Sequence, residues 1–389
     1  MKTTRKTDMA AVTKRRAPLC LCGARSSLHY LHDLMTNMER VRQTEDSECV
    51  HRMRVASRRL RSLLPLFAVC LARKTCERWR KQLRRLTRAL GEVRDTDVKI
   101  ACVEHFLEHA ASLQERPGGE RILLRLQQQR QALQGPVEEA LDRFAASQLP
   151  EKMEQTLTQL AHASHATGAD MPGRYVYRKT RKAVRAQLKA LLAYAPYVQQ
   201  PERIDALHAM RIAAKRLRYT MEACTSFYPD ALEEPVRAAR TVQTLLGDIH
   251  DCDVWIHDLP QFLQDECDRT LVYFGHIEPF APLVPGILAL QHNRQQYRMQ
   301  RYQEFVRFWN EAQEQGIWQR LRQTLEAAES TPGNAWADTA KERVVDQGQA
   351  QPDLLPGTPL LASGYGDTDL LVTAPTQRQI DVIGPPFGS

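Results

Sequence analysis

Residues 51–61 read His-Arg-Met-Arg-Val-Ala-Ser-Arg-Arg-Leu-Arg, and residues 208–218 read His-Ala-Met-Arg-Ile-Ala-Ala-Lys-Arg-Leu-Arg. A second pair of similar segments follows, Leu-Gly-Glu-Val-Arg-Asp-Thr-Asp-Val at 90–98 and Leu-Gly-Asp-Ile-His-Asp-Cys-Asp-Val at 246–254. The first pair is offset by 157 residues (51 to 208) and the second by 156 (90 to 246). The chain therefore contains two versions of one unit.

The repeated segment has the spacing of an amphipathic helix. Positions i, i+3, i+7 and i+10 fall on one helical face at about 100° per residue. That face is cationic apart from one histidine in each copy: it carries His51, Arg54, Arg58 and Arg61, then His208, Arg211, Lys215 and Arg218. The other side is apolar and predicts a packed stripe: it carries Met53, Leu60 and Leu64, then Met210, Leu217 and Met221.

Neither copy contains an acidic residue among its eleven positions. Like charges at i,i+4 cost roughly 0.2–0.5 kcal/mol per pair in an isolated helix, so a solvated face usually includes acids. An exposed basic face lying over a core is the alternative interpretation. Because the spacing occurs twice, we favour two faces that converge on a polyanion. Lys81 and Arg84 on the next helix correspond to Arg237 and Arg240, and they extend each cationic surface.

The charge is concentrated in the body of the chain. The 389 residues carry a formal net charge of +8, but residues 331–389 carry −4, which leaves +12 on the rest. A basic body indicates nucleic acid, anionic membrane or another polyanion as the partner. No segment approaches the roughly 20 uncharged apolar residues of a membrane span. The nine cysteines are scattered in a chain without a secretory signal, so we expect reduced thiols and a cytoplasmic location.

Helical periodicity runs through most of the chain, and no segment alternates with the period of a strand. The predicted fold class is all-α. Residues 1–23 are predicted to be a disordered basic arm and residues 331–389 a disordered tail, since the tail is rich in Pro, Gly and Thr. Gly91 is expected to end one helix, residues 117–119 to form a turn, and Pro65 to bend the basic helix. Helices are predicted over 24–43, 48–70 and 75–90, followed by one that ends near residue 111 and another that ends near residue 134. Further helices are predicted over 136–148, 173–194, 202–227, 231–246, 249–264 and 284–324.

Phosphate suits this set of side chains. Arginine grips phosphate with a planar fork of donors, lysine adds a point charge, and a histidine held neutral by nearby cations still donates one hydrogen bond. The sequence has no Walker loop, Gly-rich dinucleotide motif or HExxH. The basic face also lacks interleaved aromatic residues on which bases would stack. These features favour a ligand made only of phosphate over nucleic acid.

The repeated motifs share one pair of acids in each unit. They are Asp95 and Asp97, then Asp251 and Asp253. They would either hold a divalent cation together with a phosphate chain, or cap the following helix and hold an arginine of the basic face in an ion pair. We favour the structural role. A metal-dependent phosphoanhydride hydrolase remains the enzymatic alternative, and a nucleic-acid binder is the third hypothesis.

The order of the four motifs, with Tyr219 and Glu222 after the second basic segment, resembles the CHAD (conserved histidine α-helical) domain family over residues 24–325. The resemblance implies two four-helix bundles with pseudo-twofold symmetry, formed by residues 24–168 and 172–325, around a shared basic cavity that binds inorganic polyphosphate. It places members with polyphosphate granules or near enzymes of polyphosphate metabolism. One departure is His250, where the first unit has Arg94.

When this sequence is matched to the family position by position, the resemblance implies twelve polyphosphate-binding residues. They are His51, Arg54, Arg58, Arg61, Lys81, Arg84, His208, Arg211, Lys215, Arg218, Arg237 and Arg240. Many relatives also carry a triphosphate-hydrolysing domain with a Glu-x-Glu-x-Lys strand, and this sequence lacks that strand. We therefore expect a binding module with no catalytic residues, no cofactor and no membrane contact.

Overall fold

The structure is a computed structural model that describes residues 12–43, 47–109, 111–168, 171–228 and 230–330. The described residues are helical or lie in short connections, and they contain no strand, which confirms the all-α class. The first half consists of α1 (Ala17–Gln43), α2 (Ser47–Phe67), α3 (Arg73–His109), α4 (Arg116–Ala132), α5 (Gln134–Ala146) and α6 (Leu149–His165). The second half consists of α7 (Arg174–Leu192), α8 (Ile204–Glu222), α9 (Glu233–Phe274), α10 (Val284–Glu314) and α11 (Ile317–Ser330). Short 3₁₀ segments occupy Ala68–Cys70, Ala195–Tyr197, Thr225–Phe227 and Glu278–Leu283.

The two repeated basic segments are α2 and α8, as their periodicity predicts. Their apolar stripes are buried: Met53 and Leu60 in α2, and Met210 and Leu217 in α8, are all 0% exposed. Helix α2 continues through Pro65, which was expected to bend it, and ends two residues later. Burial of these stripes against α1, α3, α7 and α9 is what turns each cationic face away from the cores.

The second repeated motif lies inside a helix rather than at a helix end. Helix α3 runs unbroken through Gly91, and α9 runs unbroken through Gly247, so the predicted helix boundaries at both motifs were wrong. The physical reason is packing. Leu90 and Val93 of α3 are buried in one hydrophobic core, and Leu246 and Ile249 of α9 are buried in another, so both helices continue through their glycines.

Two other predicted boundaries were also wrong. Pro117 and the following glycines lie in the first turn of α4 instead of forming a turn of their own, because Gly118 packs directly against the backbone at Leu283 and Gly286. The helix predicted over 284–324 is two helices. It breaks at Gly316, whose φ of +66° is a left-handed conformation that glycine adopts without strain.

The basic arm predicted over residues 1–23 is shorter than expected. Helix α1 begins at Ala17, and Leu19 and Cys20 are buried in the core, so residues 17–23 belong to the first helix. Cys20 forms a disulfide with Cys70 just after α2, which corrects the expectation that all thiols are reduced. Residues 1–11 of the arm and the predicted tail at 331–389 lie outside the described residues.

Three hydrophobic cores hold the helices together. One lies in the first half among α1, α2, α3, α5 and α6, and a second lies in the second half among α7 to α11. Leu63, Leu66 and Phe67 at the end of α2 belong to the second core, so the halves interlock there. The third core joins the ends of α3 and α9 to α4 and α10. The pseudo-twofold relation between the halves remains a prediction.

A candidate anion-binding cavity between the halves

A cavity of about 820 Å³ lies between the two halves. Helices α2 and α3 line it on one side, and α7 and α8 line it on the other. Among its lining residues are nine cationic side chains and one carboxylate, that of Glu77. The cations are Arg58, Arg61, Arg80, Lys81, Arg84, Lys179, Lys182, Lys215 and Arg216. So many like charges in one concave surface create a strongly positive potential, which suits a polyanion.

Five of the twelve predicted binding residues line this cavity. They are Arg58, Arg61, Lys81, Arg84 and Lys215. Because the first four come from α2 and α3 and the fifth from α8, the cationic faces of both units do meet, as the duplicated spacing predicts. The meeting takes place toward the C-terminal ends of the two repeated helices.

The twelve predicted residues omit four cations that line the cavity. They are Arg80, Lys179, Lys182 and Arg216. The signal for Lys179 and Lys182 was present in the sequence, because α7 contains seven basic residues and no acid. No repeat offset marked this helix, since the first unit has no comparable basic segment. Arg80 and Arg216 adjoin predicted positions, and only packing shows that they face the cavity.

The N-terminal ends of the two basic helices lie elsewhere. His51, Arg54, His208 and Arg211 do not line the cavity, and Arg54 and Arg211 are only 1% and 3% exposed. Arg54 Nη2 lies 3.8 Å from Asp95 Oδ1. These arginines therefore sit inside the protein beside aspartates of the second repeated motif.

The four repeated aspartates contact arginines rather than capping helices. Arg130 Nε lies 2.8 Å from Asp97 Oδ1, and Arg298 pairs with Asp253. Burial raises the pKa of Asp251 to about 8, although the charge of Arg211 opposes that shift. The pair of Arg54 with Asp95 supports the predicted ion pair to the basic face, whereas Arg130 and Arg298 come from α4 and α10. The helix-capping part of the structural interpretation was wrong, because both motifs lie in mid-helix.

The same four aspartates are the residues that would hold a divalent cation in the alternative interpretation of the sequence. Within the part of the chain that the structure describes, no group of three or more His, Cys, Asp or Glu side chains has the arrangement of a metal site. An arginine beside each aspartate already supplies a positive charge at the position a cation would take. We therefore assign these residues to the framework of the protein.

Both repeated histidines are neutral at pH 7. Burial and, secondarily, the charge of Arg94 lower the pKa of His51 to about 4. Burial and the charge of Arg211 likewise lower the pKa of His208 to about 4. His208 Nδ1 lies 3.2 Å from Nδ1 of His250, whose pKa falls to about 3. The replacement of Arg94 by His250 thus gives the second unit an imidazole pair where the first has an imidazole beside a guanidinium.

The remaining predicted residues form ion pairs outside the cavity lining. Arg218 and Arg240 both contact Glu222, at 3.4 and 3.8 Å, and Arg237 pairs with Glu233 at 3.2 Å. Tyr219 is the one aromatic residue in the lining. Arg58 donates a hydrogen bond to its hydroxyl, and Arg218 lies 4.8 Å from its ring centroid. The Tyr219 ring therefore packs against arginines on this wall.

Fold and site together define an all-helical protein with a basic cavity between two halves. A family model described as the CHAD domain matches residues 28–260, more than half of the chain. The chain belongs to the CHAD domain family.

Two uncharacterized proteins of Mycobacterium tuberculosis are 29% identical to this chain over 218 residues. The match covers 55% of this chain and 40% of each relative, so the chain spans less than half the length of these relatives. A crystal structure of the CHAD domain from the plant Ricinus communis aligns with a TM-score of 0.49 and 21% identity. The alignment covers 84% of this chain and 98% of the plant domain. No described helix has the length and apolar character to cross a membrane.

Proposed function

We propose that this protein binds inorganic polyphosphate in the cavity between its halves. The observation that carries the proposal is the lining of nine cations against one carboxylate, contributed by both units. A linear phosphate chain presents one negative charge per unit along its length and needs no other recognition. Arginine forks and lysine ammonium groups distributed along both walls match that distribution of charge.

The lining favours a phosphate chain over nucleic acid. Recognition of single-stranded nucleic acid relies on aromatic side chains with open faces, on which bases stack. The one aromatic residue of the lining, Tyr219, packs against Arg58 and Arg218. Competition tests this preference directly: unlabelled polyphosphate should displace a bound labelled chain at far lower charge concentration than single-stranded RNA, and preferential displacement by RNA would reverse our ordering.

We propose a binding role without catalysis. A metal-dependent hydrolase would need a cluster of carboxylates at the phosphate and a general acid or base beside it. Glu77 is the one carboxylate in the lining, and His51 and His208 lie outside it. Incubation with tripolyphosphate and Mg²⁺ or Mn²⁺ should release no orthophosphate above a buffer control. Metal-dependent release that Lys81→Glu abolishes would establish the enzymatic alternative instead.

Fluorescence anisotropy with a labelled long polyphosphate tests binding. The variant Lys81→Glu/Lys182→Glu reverses one cation on each wall, both of them exposed. We expect its affinity to fall about 100-fold while its helical circular dichroism stays unchanged. Arg307→Glu/Arg322→Glu is the matched control, because it changes the net charge by the same amount and both arginines are exposed, on α10 and α11, outside the lining. Equal loss in both variants would mean that binding follows net charge and not the cavity.

We further propose that the protein acts in the cytoplasm, at polyphosphate granules or beside enzymes that make or degrade polyphosphate. Support comes from the proposed ligand, which gathers in such granules. The Cys20 to Cys70 disulfide would be unusual in a reducing compartment. Mass spectrometry after thiol alkylation of rapidly quenched cells measures the state of this pair in the cell, and loss of the disulfide there would support the cytoplasmic location. A fully oxidised pair would argue for an oxidising compartment.

A further inference from the structure

The C-terminal end of α9 carries a cluster of exposed apolar side chains far from the cavity. Residues 271–279 are all exposed. Five large apolar side chains in this segment, which we call the apical patch, are Leu271 at 48%, Val272 at 87%, Tyr273 at 82%, Phe274 at 52% and Ile277 at 52% exposure. An exposed apolar residue on its own needs no explanation, but a contiguous group of five does.

The helix end that carries the apical patch is held in place by hydrogen bonds, a ring contact and a buried ion pair. Helix α9 ends at Gly275, whose φ is +77° and whose amide donates a 2.8 Å hydrogen bond to the carbonyl oxygen of Leu271. The rings of Tyr273 and Phe274 meet edge to face with centroids 4.7 Å apart. One turn below, Glu266 is fully buried and pairs with Arg125 at 2.7 Å. The patch therefore projects from an anchored helix end.

Neighbouring segments extend the apolar surface at the same end of the molecule. The connection between α3 and α4 packs closely on the start of α10, since a Cβ on Gly286 would lie 1.8 Å from the carbonyl oxygen of Glu115. Leu113 on that connection is 87% exposed, and Leu288 on α10 is 47% exposed. Both flank the segment that joins α9 to α10.

We propose that two copies of this chain associate through their apical patches. An aromatic side chain buries roughly 150–250 Å² and an aliphatic one roughly 120 Å², so at these exposures the apical patch with Leu113 and Leu288 exposes on the order of 600 Å². The largest patch on a monomer is usually about 300–600 Å². The smallest stable interfaces bury about 600 Å² per partner, so the available area matches one side of a small dimer interface. A two-fold axis allows the same patch to serve both copies.

The charges around the patch favour a second copy over a membrane surface. Asp268 and Arg269 precede it, and His276 pairs with Glu278 within it. In a two-fold arrangement, acids of one copy face bases of the other, so a border of mixed sign is self-complementary. A surface that docks on anionic lipid instead carries an excess of Lys and Arg, which this border lacks.

This association does not depend on the proposed function. Cavity residues lie on α2, α3, α7 and α8, while the patch lies at the far end of α9. Arg240, which contacts Glu222 at the end of α8, precedes Val272 by 32 residues, or about 48 Å along α9 at 1.5 Å per residue. Contact through the patch would leave both cavities open to solvent.

Light scattering coupled to size-exclusion chromatography tests the proposal with the full chain. A salt concentration of about 0.5 M prevents polyanions from bridging copies, because it screens charge contacts and leaves apolar contacts intact. At about 50 μM we expect a mass of twice 44.5 kDa for the unaltered protein. Val272→Glu/Tyr273→Glu should elute at 44.5 kDa. Met299→Glu is the control, since Met299 is 64% exposed on α10 away from the patch, and it should remain dimeric.

Each other result overturns the proposal. An unaltered protein that is monomeric at that concentration would do so. If that monomer also co-sediments with vesicles of phosphatidylcholine and phosphatidylserine, the patch would be assigned to a membrane surface instead. A double variant that stays dimeric would assign the interface to another surface. Circular dichroism and a thermal transition matching those of the unaltered protein establish that the double variant is folded, because both substituted side chains are largely exposed.

Discussion

The two ends of each repeated basic helix carry the same residue types at the same spacing, yet they lie in opposite environments. At the N-terminal end, Arg54 and Arg211 are almost fully buried beside aspartates. At the C-terminal end, Arg58 and Arg61 are partly exposed and line an open cavity, and Lys215 lines it too, although only 7% of it is exposed. A row of cations on one helical face can therefore serve two purposes, one structural and one for binding.

The difference arises because different side chains of neighbouring helices lie against the two ends of each basic helix. The long helices α3 and α9 bring Asp95 and Asp251 close to Arg54 and Arg211. Toward the other end, α3 and α7 contribute more cations, and Glu77 is the one carboxylate among the lining residues. Four predictions test the contrast, from the largest expected effect to the smallest.

Arg54→Ala should damage the fold rather than the site. Removing one partner of a buried ion pair leaves the other uncompensated, which costs about 3–5 kcal/mol of unfolding free energy. Arg54 is 1% exposed and lies 3.8 Å from Asp95. Urea denaturation measures the loss, and polyphosphate affinity measured on the folded fraction should change less than threefold. Unchanged stability combined with lost binding would show that the buried arginine reaches the ligand.

Arg61→Ala should give the opposite result. Arg61 lines the cavity and is partly exposed. We expect polyphosphate affinity to fall about tenfold, or about 1.4 kcal/mol, and the slope of log affinity against log salt to decrease by roughly one contact. The urea midpoint should stay within experimental error of the unaltered protein. A large loss of stability would place Arg61 in the framework with Arg54.

The buried end should make stability depend on pH. Because the pKa of Asp251 rises to about 8 in the folded state, the folded protein holds a proton that the unfolded chain has released, and stability falls as pH rises toward 8. His51, His208 and His250 have lowered pKa values and act in the opposite direction, over the range of about one pH unit on either side of 6.5 in which the unfolded imidazoles release their protons.

Comparison with Asp251→Asn between pH 6.5 and 8 therefore isolates Asp251 from the histidines. With a folded pKa of about 8, this carboxyl alone should lower the unfolding free energy by roughly 1–2 kcal/mol over that range. Asp251→Asn should flatten the decrease, and Asp258→Asn, on the same helix with its carboxylate partly exposed, is the control that should leave it unchanged. A slope of the same size in Asp251→Asn would assign the effect to another group.

His208→Gln should have the smallest effect on binding. His208 lies outside the cavity lining and contacts His250. Glutamine retains a hydrogen-bond donor and is neutral, so we expect polyphosphate affinity within twofold of the unaltered protein and a modest loss of thermal stability. A tenfold loss of affinity would restore the histidine as the donor to phosphate that the sequence suggested.

Sequence reasoning identified the helical class, the repeated helices and five cavity residues, because each depends on spacing along one helix. Predictions failed where the environment of a residue depends on a neighbouring helix. Gly91 carries the ordinary signal of a helix end, and only the burial of Leu90 and Val93 in a core shared by several helices shows why α3 continues through it. Lys179 and Lys182 were visible as charges, but which wall they face depends on how α7 packs against α8.

The sequence by itself determined that this protein has two acid-free cationic helices with apolar backs, since helical periodicity is a local property of the chain. Only the tertiary structure decided which cations meet solvent. Burial and the approach of Asp95 and Asp251 depend on contacts between residues about 40 positions apart, and such contacts leave no periodic mark. The duplicated segment predicted one continuous binding face. Packing divides that face into a buried framework at one end and an open cationic wall at the other.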